Sequence, residues 1–282
     1  MWNALAWMLA SALTGGVAVY TVAPGDTLTV VGARFGVYPA TIAADNQLDP
    51  KRPLTAGHQL RIDNRHIVPV AIDDGEIVVN IPQRMLFFRE GERVFGYPIA
   101  VGRTTWRTPA GSFEVTRMEL DPAWHVPESI RQESARAGKF LPHVVPAGPG
   151  NPLGRFFIGL SLASIGIHGT PSPSSIYQTA THGCMRLQAD NIAELYSHVR
   201  VGTRGRIIYE PVLLTREGDD IFVEVHADVY SRMPPGTAHE HARELAARLG
   251  VSNRIDWAVA DRQIDQTGGI ARQIHLQPDP AR

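Results

Sequence analysis

The sequence predicts an α+β protein in which a mostly antiparallel β barrel or sandwich follows a small βααβ module and precedes a small C-terminal α/β subdomain. Length is the first ground: 282 residues suit about two domains of ~150 residues each. Punctuation is the second, since 26 glycines and 21 prolines cut the middle of the chain into short β-rich runs. Helical periodicity is the third, and it is confined to a few short stretches. A hydrophobic share of 44% is that of a globular chain.

The charge balance of 27 basic against 28 acidic residues leaves a net charge of -1. No overall field attracts a polyanion, so nucleic acid and acidic membrane surfaces are excluded as primary partners. Cys184 is the one cysteine, which excludes an internal disulfide and zinc frameworks built on two or four cysteines.

No charged residue precedes Asp26, and 4–13 is a mostly apolar run of about ten residues, the length of a signal-peptide core. Ala10 with Ala12, and Gly16 with Ala18, offer small-residue cleavage sites. A signal peptide over 1–18 and export to the periplasm are therefore expected. The missing basic n-region keeps an uncleaved anchor, or a buried element of a cytoplasmic protein, as alternatives. A spanning helix would need ~20 apolar residues and would have to run through Thr14-Gly15-Gly16 into the next strand.

Residues 19–62 form the first module. Val19, Tyr20 and Val22 read as a strand, Pro24-Gly25-Asp26-Thr27 as a turn with Asp26 as helix N-cap, and Leu28, Val31 and Phe35 as one helix face. A second helix over 39–45 and a strand over 57–62 complete a βααβ unit. Tyr20-Thr21-Val22, Gly25-Asp26-Thr27-Leu28, Phe35-Gly36-Val37, Asn46, and Leu54 followed by Gly57-His58-Gln59-Leu60 resemble a LysM module. That resemblance implies a shallow groove for N-acetylglucosamine-containing glycan, with Gly25, Asp26 and Thr27 on its rim. The alternative is that the three only build the turn and cap.

Residues 63–75 are polar, with Pro69 and Asp73-Asp74, and read as a linker. Over 76–209 strands are expected at 77–81, 85–88, 94–101, 113–116, 156–160, 165–168 and 206–209, with a hairpin turn at Glu90-Gly91. Ile192, Leu195, Tyr196 and Val199 share one helix face, closed by Gly202. Residues 210–282 carry a strand pair around 212–225, a helix over 239–249 and a frayed tail from Ile270. Their mixed pattern suits a cover over a barrel edge or over the mouth of a site.

Reactive side chains concentrate in Ile167-His168-Gly169-Thr170 and Ala180-Thr181-His182-Gly183-Cys184-Met185-Arg186. A thiol attacks a carbonyl as thiolate, so it needs a base or a cation nearby, and His168 and His182 both qualify. Gly183 permits a sharp turn and close approach of substrate. Backbone N–H groups beside Cys184 can face a developing oxyanion, and Arg186 can anchor a carboxylate. Three structural alternatives stand beside this reading: a buried inert Cys184, a zinc site on His168, His182 and Cys184, and an Arg186 that only pairs with an acid. His125 and His143 fall in proline-rich loops able to form a lid.

His168-Gly169-Thr170 with Thr181-His182-Gly183-Cys184-Met185-Arg186 resembles the signature of the L,D-transpeptidase (YkuD) catalytic domain, with Thr181 where that family more often has serine. Thr108-Pro109-Ala110-Gly111-Ser112-Phe113 and Asn151-Pro152-Leu153-Gly154 also match, especially the Gram-negative periplasmic branch. The resemblance implies Cys184 as nucleophile, His168 as general base and acid, the Gly169 carbonyl as orienter of the imidazole, and the 181–184 backbone as oxyanion site. His182 either supports the thiolate or contacts substrate. The implied reaction releases terminal D-alanine from a peptidoglycan tetrapeptide stem and passes the diaminopimelate acyl group to an amine, on a second stem or a lipoprotein lysine. It calls for no cofactor and no metal. Partners are peptidoglycan and an outer-membrane lipoprotein, without nucleic acid. The rivals are an L,D-carboxypeptidase or cysteine hydrolase, a zinc hydrolase, and a non-catalytic wall-binding protein.

Overall fold

The computed structural model describes residues 13–274. Of the expected signal peptide, 1–12 lie outside the described residues, whereas 13–18 are folded. Leu13–Thr14 pairs antiparallel with His66–Ile67, and the strand Val17–Thr21 pairs with Gln59–Asp63, setting Tyr20 opposite Leu60. The boundary expected after residue 18 thus falls inside a strand. Small and apolar residues there read as a leader, but their backbone groups are taken up by a sheet.

In the first module Thr27, not Asp26, caps helix α1 (Leu28–Phe35): its Oγ1 accepts the Val30 N–H at 3.2 Å. Asp26 turns back instead, accepting the Ala23 N–H at 2.9 Å and the Tyr20 hydroxyl. Helix α2 (Pro39–Asp45) starts on a proline whose missing N–H costs nothing at a first turn. Val22, Val31, Ile42, Leu60 and Ile62 are buried between the helices and the two strands.

The central sheet has eight strands in the spatial order Met185–Arg186, Gly166–His168, Phe156–Leu160, Gly111–Leu120, Arg204–Ile208, Ile77–Asn80, Met85–Glu90, Arg93–Pro98. The first two strands run parallel, as do Arg204–Ile208 and Ile77–Asn80, and the other neighbours are antiparallel. The sheet curls back on itself. Ala100, just past its last strand, exchanges backbone bonds of 2.9 and 3.1 Å with Arg186 in its first. Between Gly111–Leu120 and Phe156–Leu160 the chain makes an excursion that carries the helix α3 (Glu128–Arg136), none of whose residues is buried. Helix α4 (Ala189–His198) closes one side of the core with Ile192 and Leu195, against Leu86, Val115, Ile158 and Ile167. Truncating a fully buried side chain such as Leu86 here costs about 2–5 kcal/mol.

The C-terminal unit sets strands Val212–Glu217, Asp220–Val225 and Arg272–Ile274 against helices α5 (Thr237–Arg248) and α6 (Trp257–Gln266). The expected frayed tail is corrected over its described part: Ile270 joins the core of the first module, Ala271 is fully buried, and 272–274 form a strand. Polar neighbours masked an apolar pair placed for burial.

The 63–75 linker is packed rather than loose, since Asp63, His66, Ile67 and Ile72 are all buried. Here the three units meet on the Glu224 carboxylate. It accepts His66 Nδ1–H and His226 Nε2–H, each at 2.7 Å, Gln83 Nε2–H at 3.0 Å and the Ile67 N–H at 2.5 Å. His66 Nε2 faces the Gly36 carbonyl at 2.9 Å, so both its ring nitrogens carry protons. These donors hold the Glu224 carboxyl at a pKa of about 2 despite complete burial. Among the described residues no helix is long and apolar enough to cross a membrane.

Candidate active site

Two parallel strands deliver the reactive groups. Ile167 lies opposite Met185, and both point into the core without exposure. Alternation along a strand then puts His168 and its partner Arg186 on the other face, and Cys184 immediately precedes the strand Met185–Arg186.

His168 is buried, its ring stacked on Phe157 at 6.4 Å. Nδ1–H donates to the Gly169 carbonyl at 2.6 Å, which leaves the Nε2 lone pair as the basic position. Burial, and then the charge of Arg186, pull its pKa down to about 4, so the imidazole is neutral at pH 7. Cys184 is half-buried, and its thiol donates weakly to the Ser164 carbonyl at 3.6 Å. Burial pushes the thiol pKa up, opposed by the Gly166 backbone and by Arg186. The resting pair is therefore thiol and neutral imidazole. These shifts do not favour the stored thiolate expected from sequence.

Arg186 is half-buried, and its Nε has no hydrogen-bond partner among the described residues. No acid pairs with it there, contrary to the structural alternative. An unneutralised guanidinium whose charge acts on both the thiol and the imidazole is suited to receive a carboxylate.

The loop before the thiol is held by hydroxyls. Thr181 Oγ1 accepts the Gly183 N–H at 3.1 Å and donates to the Cys184 carbonyl at 2.5 Å. Thr108 Oγ1 donates to the Gly183 carbonyl at 2.8 Å and accepts the Gly102 N–H at 2.9 Å. Gly183 has φ +107°, and a side chain there would come within 3.0 Å of Ile165, so the turn requires glycine.

His182 points elsewhere. Its Nε2 lies 2.8 Å from Glu133 Oε2 on α3, and its ring meets Trp106 edge-on at 5.2 Å. Arg103 pairs with the same Glu133 and reaches His182 Nε2 at 2.8 Å. His182 and Arg103 together hold the Glu133 carboxyl below the ordinary range. The residues alone leave His168 and His182 open as bases and the family resemblance favours His168; in the fold, His168 lies on the strand paired with the one that follows Cys184, whereas His182 is engaged with Glu133 and Arg103. Arg103, Trp106 and Glu133 were missed, because they come from a loop and from helix α3, far from the motif, and carry no spacing signal. His143 faces Arg131 at 3.1 Å within the excursion, and His125 lies on an exposed strand of it.

Gly25, Asp26 and Thr27 stand apart, in the first turn of the N-terminal module. Gly25 and Thr27 are exposed there, while the Asp26 carboxylate is spent on the turn. Among the described residues, the His, Cys, Asp and Glu side chains that converge closely enough to share a metal ion are His66, Glu224 and His226. Cys184, His168 and His182 do not converge in that way. The junction trio is satisfied by hydrogen bonds without any ion.

Comparison with known proteins places these features. The profile of the YkuD L,D-transpeptidase catalytic domain matches residues 74–212, and that of the LysM domain matches 20–63. Probable L,D-transpeptidase ErfK/SrfK of Escherichia coli strain K12 is 37% identical over 177 residues, 61% of this chain and 56% of its own length. The L,D-transpeptidase homologue YcfS of the same strain is 34% identical over 212 residues, 72% of this chain and 65% of its own. This chain therefore spans little more than half to two thirds of those two relatives. YkuD of Bacillus subtilis strain 168 is 30% identical over 189 residues, which are 66% of this chain and 95% of that protein. With its catalytic domain behind a LysM domain, the chain belongs to the YkuD family of L,D-transpeptidases.

Proposed function

We propose that this protein is a peptidoglycan L,D-transpeptidase working through an acyl-enzyme on Cys184. The Cys184 sulfur attacks the carbonyl joining diaminopimelate to terminal D-alanine in a tetrapeptide stem, and His168 Nε2 takes the thiol proton as the C–S bond forms. Backbone N–H groups of the 181–184 loop stabilise the oxyanion. Collapse breaks the C–N bond, and D-alanine leaves carrying the proton from His168. An amine, on a second stem or a lipoprotein lysine, then attacks the thioester and regenerates the thiol. Arg186 receives a carboxylate of the stem, and His182 with Arg103 and Glu133 shapes the mouth of the site. The LysM module holds glycan with Gly25 and Thr27 on its rim. The substrate requires an exported, periplasmic enzyme.

The observation that carries this reading is a sole thiol placed immediately before a strand that pairs in parallel with the one ending in His168, whose Nδ1–H is fixed by the Gly169 carbonyl. Intact-mass measurement after incubation with a tetrapeptide muropeptide or a carbapenem tests it. The expected result is an adduct mapping to Cys184 and absent from Cys184→Ala. An unmodified wild-type protein under these conditions overturns it. Muropeptide dimers on adding an acceptor stem support transfer, and shortened stems without dimers mean hydrolysis.

A further inference from the structure

Tyr230 lies 18 residues beyond the end of the matched catalytic domain at residue 212, yet it is 1% exposed and packs within the core of the central sheet. A built turn delivers it. Asp228 accepts the backbone N–H groups of Arg232 at 2.9 Å and Met233 at 2.7 Å, and accepts a hydrogen bond from the Tyr209 hydroxyl. Tyr230 N–H in turn donates to the Tyr209 hydroxyl at 2.8 Å, and the two rings stack at 5.8 Å.

The Tyr230 hydroxyl donates to the Gly102 carbonyl at 2.6 Å and accepts the Thr108 N–H at 3.1 Å, so it ties both ends of the 102–108 loop. The loop is tight enough that a side chain at Gly102 would strike the Trp106 carbonyl at 2.1 Å. From that loop Thr108 Oγ1 grips the Gly183 carbonyl at 2.8 Å. The peptide joining Gly183 to Cys184 is trans and planar, so fixing its carbonyl direction fixes the Cys184 N–H in the opposite direction.

We propose that Tyr230 is a positioning residue for acyl transfer: through Thr108 and the Gly183 carbonyl, its hydroxyl aims the Cys184 backbone N–H at the oxyanion. The C-terminal unit thereby completes the active site without touching substrate. This rests on the acyl-enzyme reading above. An oxyanion donor is worth most when it is held in place before charge develops, and misdirecting one slows the step that forms the oxyanion.

The test compares two reactions of the same sulfur in the full chain. Acylation by a carbapenem passes through an oxyanion; alkylation by iodoacetamide does not. Tyr230→Phe keeps the ring and is expected to slow acylation by about 10-fold or more, with its iodoacetamide rate and the pH dependence of that rate matching wild type. Thr108→Val, which removes the next link, is expected to show the same split and serves as the readout if Tyr230→Phe does not give a cooperative melt. Acylation of Tyr230→Phe at the wild-type rate overturns the proposal, and so does a parallel loss of both reactions. If wild type itself forms no carbapenem adduct while iodoacetamide reacts, the acyl-enzyme reading fails and this proposal falls with it.

Discussion

Arg186 lies directly opposite His168 in the parallel strand pair, two residues from the Cys184 thiol and without an acidic partner among the described residues. One guanidinium thus acts on both members of the pair. It favours the thiolate, against a burial that raises the thiol pKa, and it disfavours the imidazolium.

The pH profile follows from the sign of those shifts. His168 serves as base only when neutral, and a pKa pulled below the ordinary value keeps it neutral as pH falls. The acid limb of the acylation rate is therefore expected near pH 4 rather than near the unperturbed histidine value of about 6.5. Rates of adduct formation by mass spectrometry between pH 3.5 and 8 check this. A limb centred at or above 6.5 contradicts the assignment of His168 as a buried neutral base.

Replacing the guanidinium tests its double action. In Arg186→Met the thiol loses a nearby cation and the imidazole loses a repulsive one. Alkylation at fixed pH below the thiol pKa is expected to slow, the acid limb of acylation to move to higher pH, and acylation at pH 7 to fall about 10-fold or more through loss of a carboxylate anchor. Acylation kinetics resolved into binding and rate terms distinguish anchoring from proton transfer. Unchanged binding of the stem would remove Arg186 from the substrate-binding set.

Gly183→Ala probes the turn. At φ +107°, with Ile165 Cδ1 at 3.0 Å from the added methyl, alanine is strained by about 1–3 kcal/mol. Melting temperature is expected to drop modestly, while acylation falls by an order of magnitude or more because the neighbouring Cys184 amide is redirected. A variant with wild-type acylation would show that the turn tolerates other geometry.

The Glu224 junction makes a stability prediction. Its folded pKa of about 2 lies below the ordinary carboxyl value, so the unfolded chain binds the extra proton as pH drops. Stability present above the ordinary value is lost as pH falls toward about 2. His226 is also held below its ordinary value, chiefly by burial, and acts in the same direction starting from a higher pH. Glu224→Gln leaves the His66 cation buried without its counter-charge and is expected to cost about 3–5 kcal/mol in urea unfolding at pH 7. A loss under 1 kcal/mol would mean that the network is not the joint between the units.

The LysM unit and the strands of the central sheet were legible because their signals are local. Period-two apolar runs, Glu90-Gly91 and the helix faces at Leu28 and Ile192 depend on neighbours within a few residues. The same locality caused the misreadings. Asp26 is as good an N-cap by type as Thr27, and only the position of Tyr20 and the Ala23 N–H decided which one turned back. Leu13, Thr14, Val17 and Ala18 find strand partners about 50 residues away, which places the boundary expected after residue 18 inside a strand.

By itself, the order of residues determined the family, the α+β class and the short list from which the chemistry is drawn: one thiol, two nearby histidines, an arginine and a glycine turn. Only the folded arrangement turned His182 toward Glu133 and Arg103, set Arg186 opposite His168 without a neutralising acid among the described residues, and brought Tyr230 from the C-terminal unit against the 102–108 loop. The reason is physical: charge, proton affinity and hydrogen-bond direction depend on what lies within a few ångströms, and in a curled sheet those neighbours come from far along the chain.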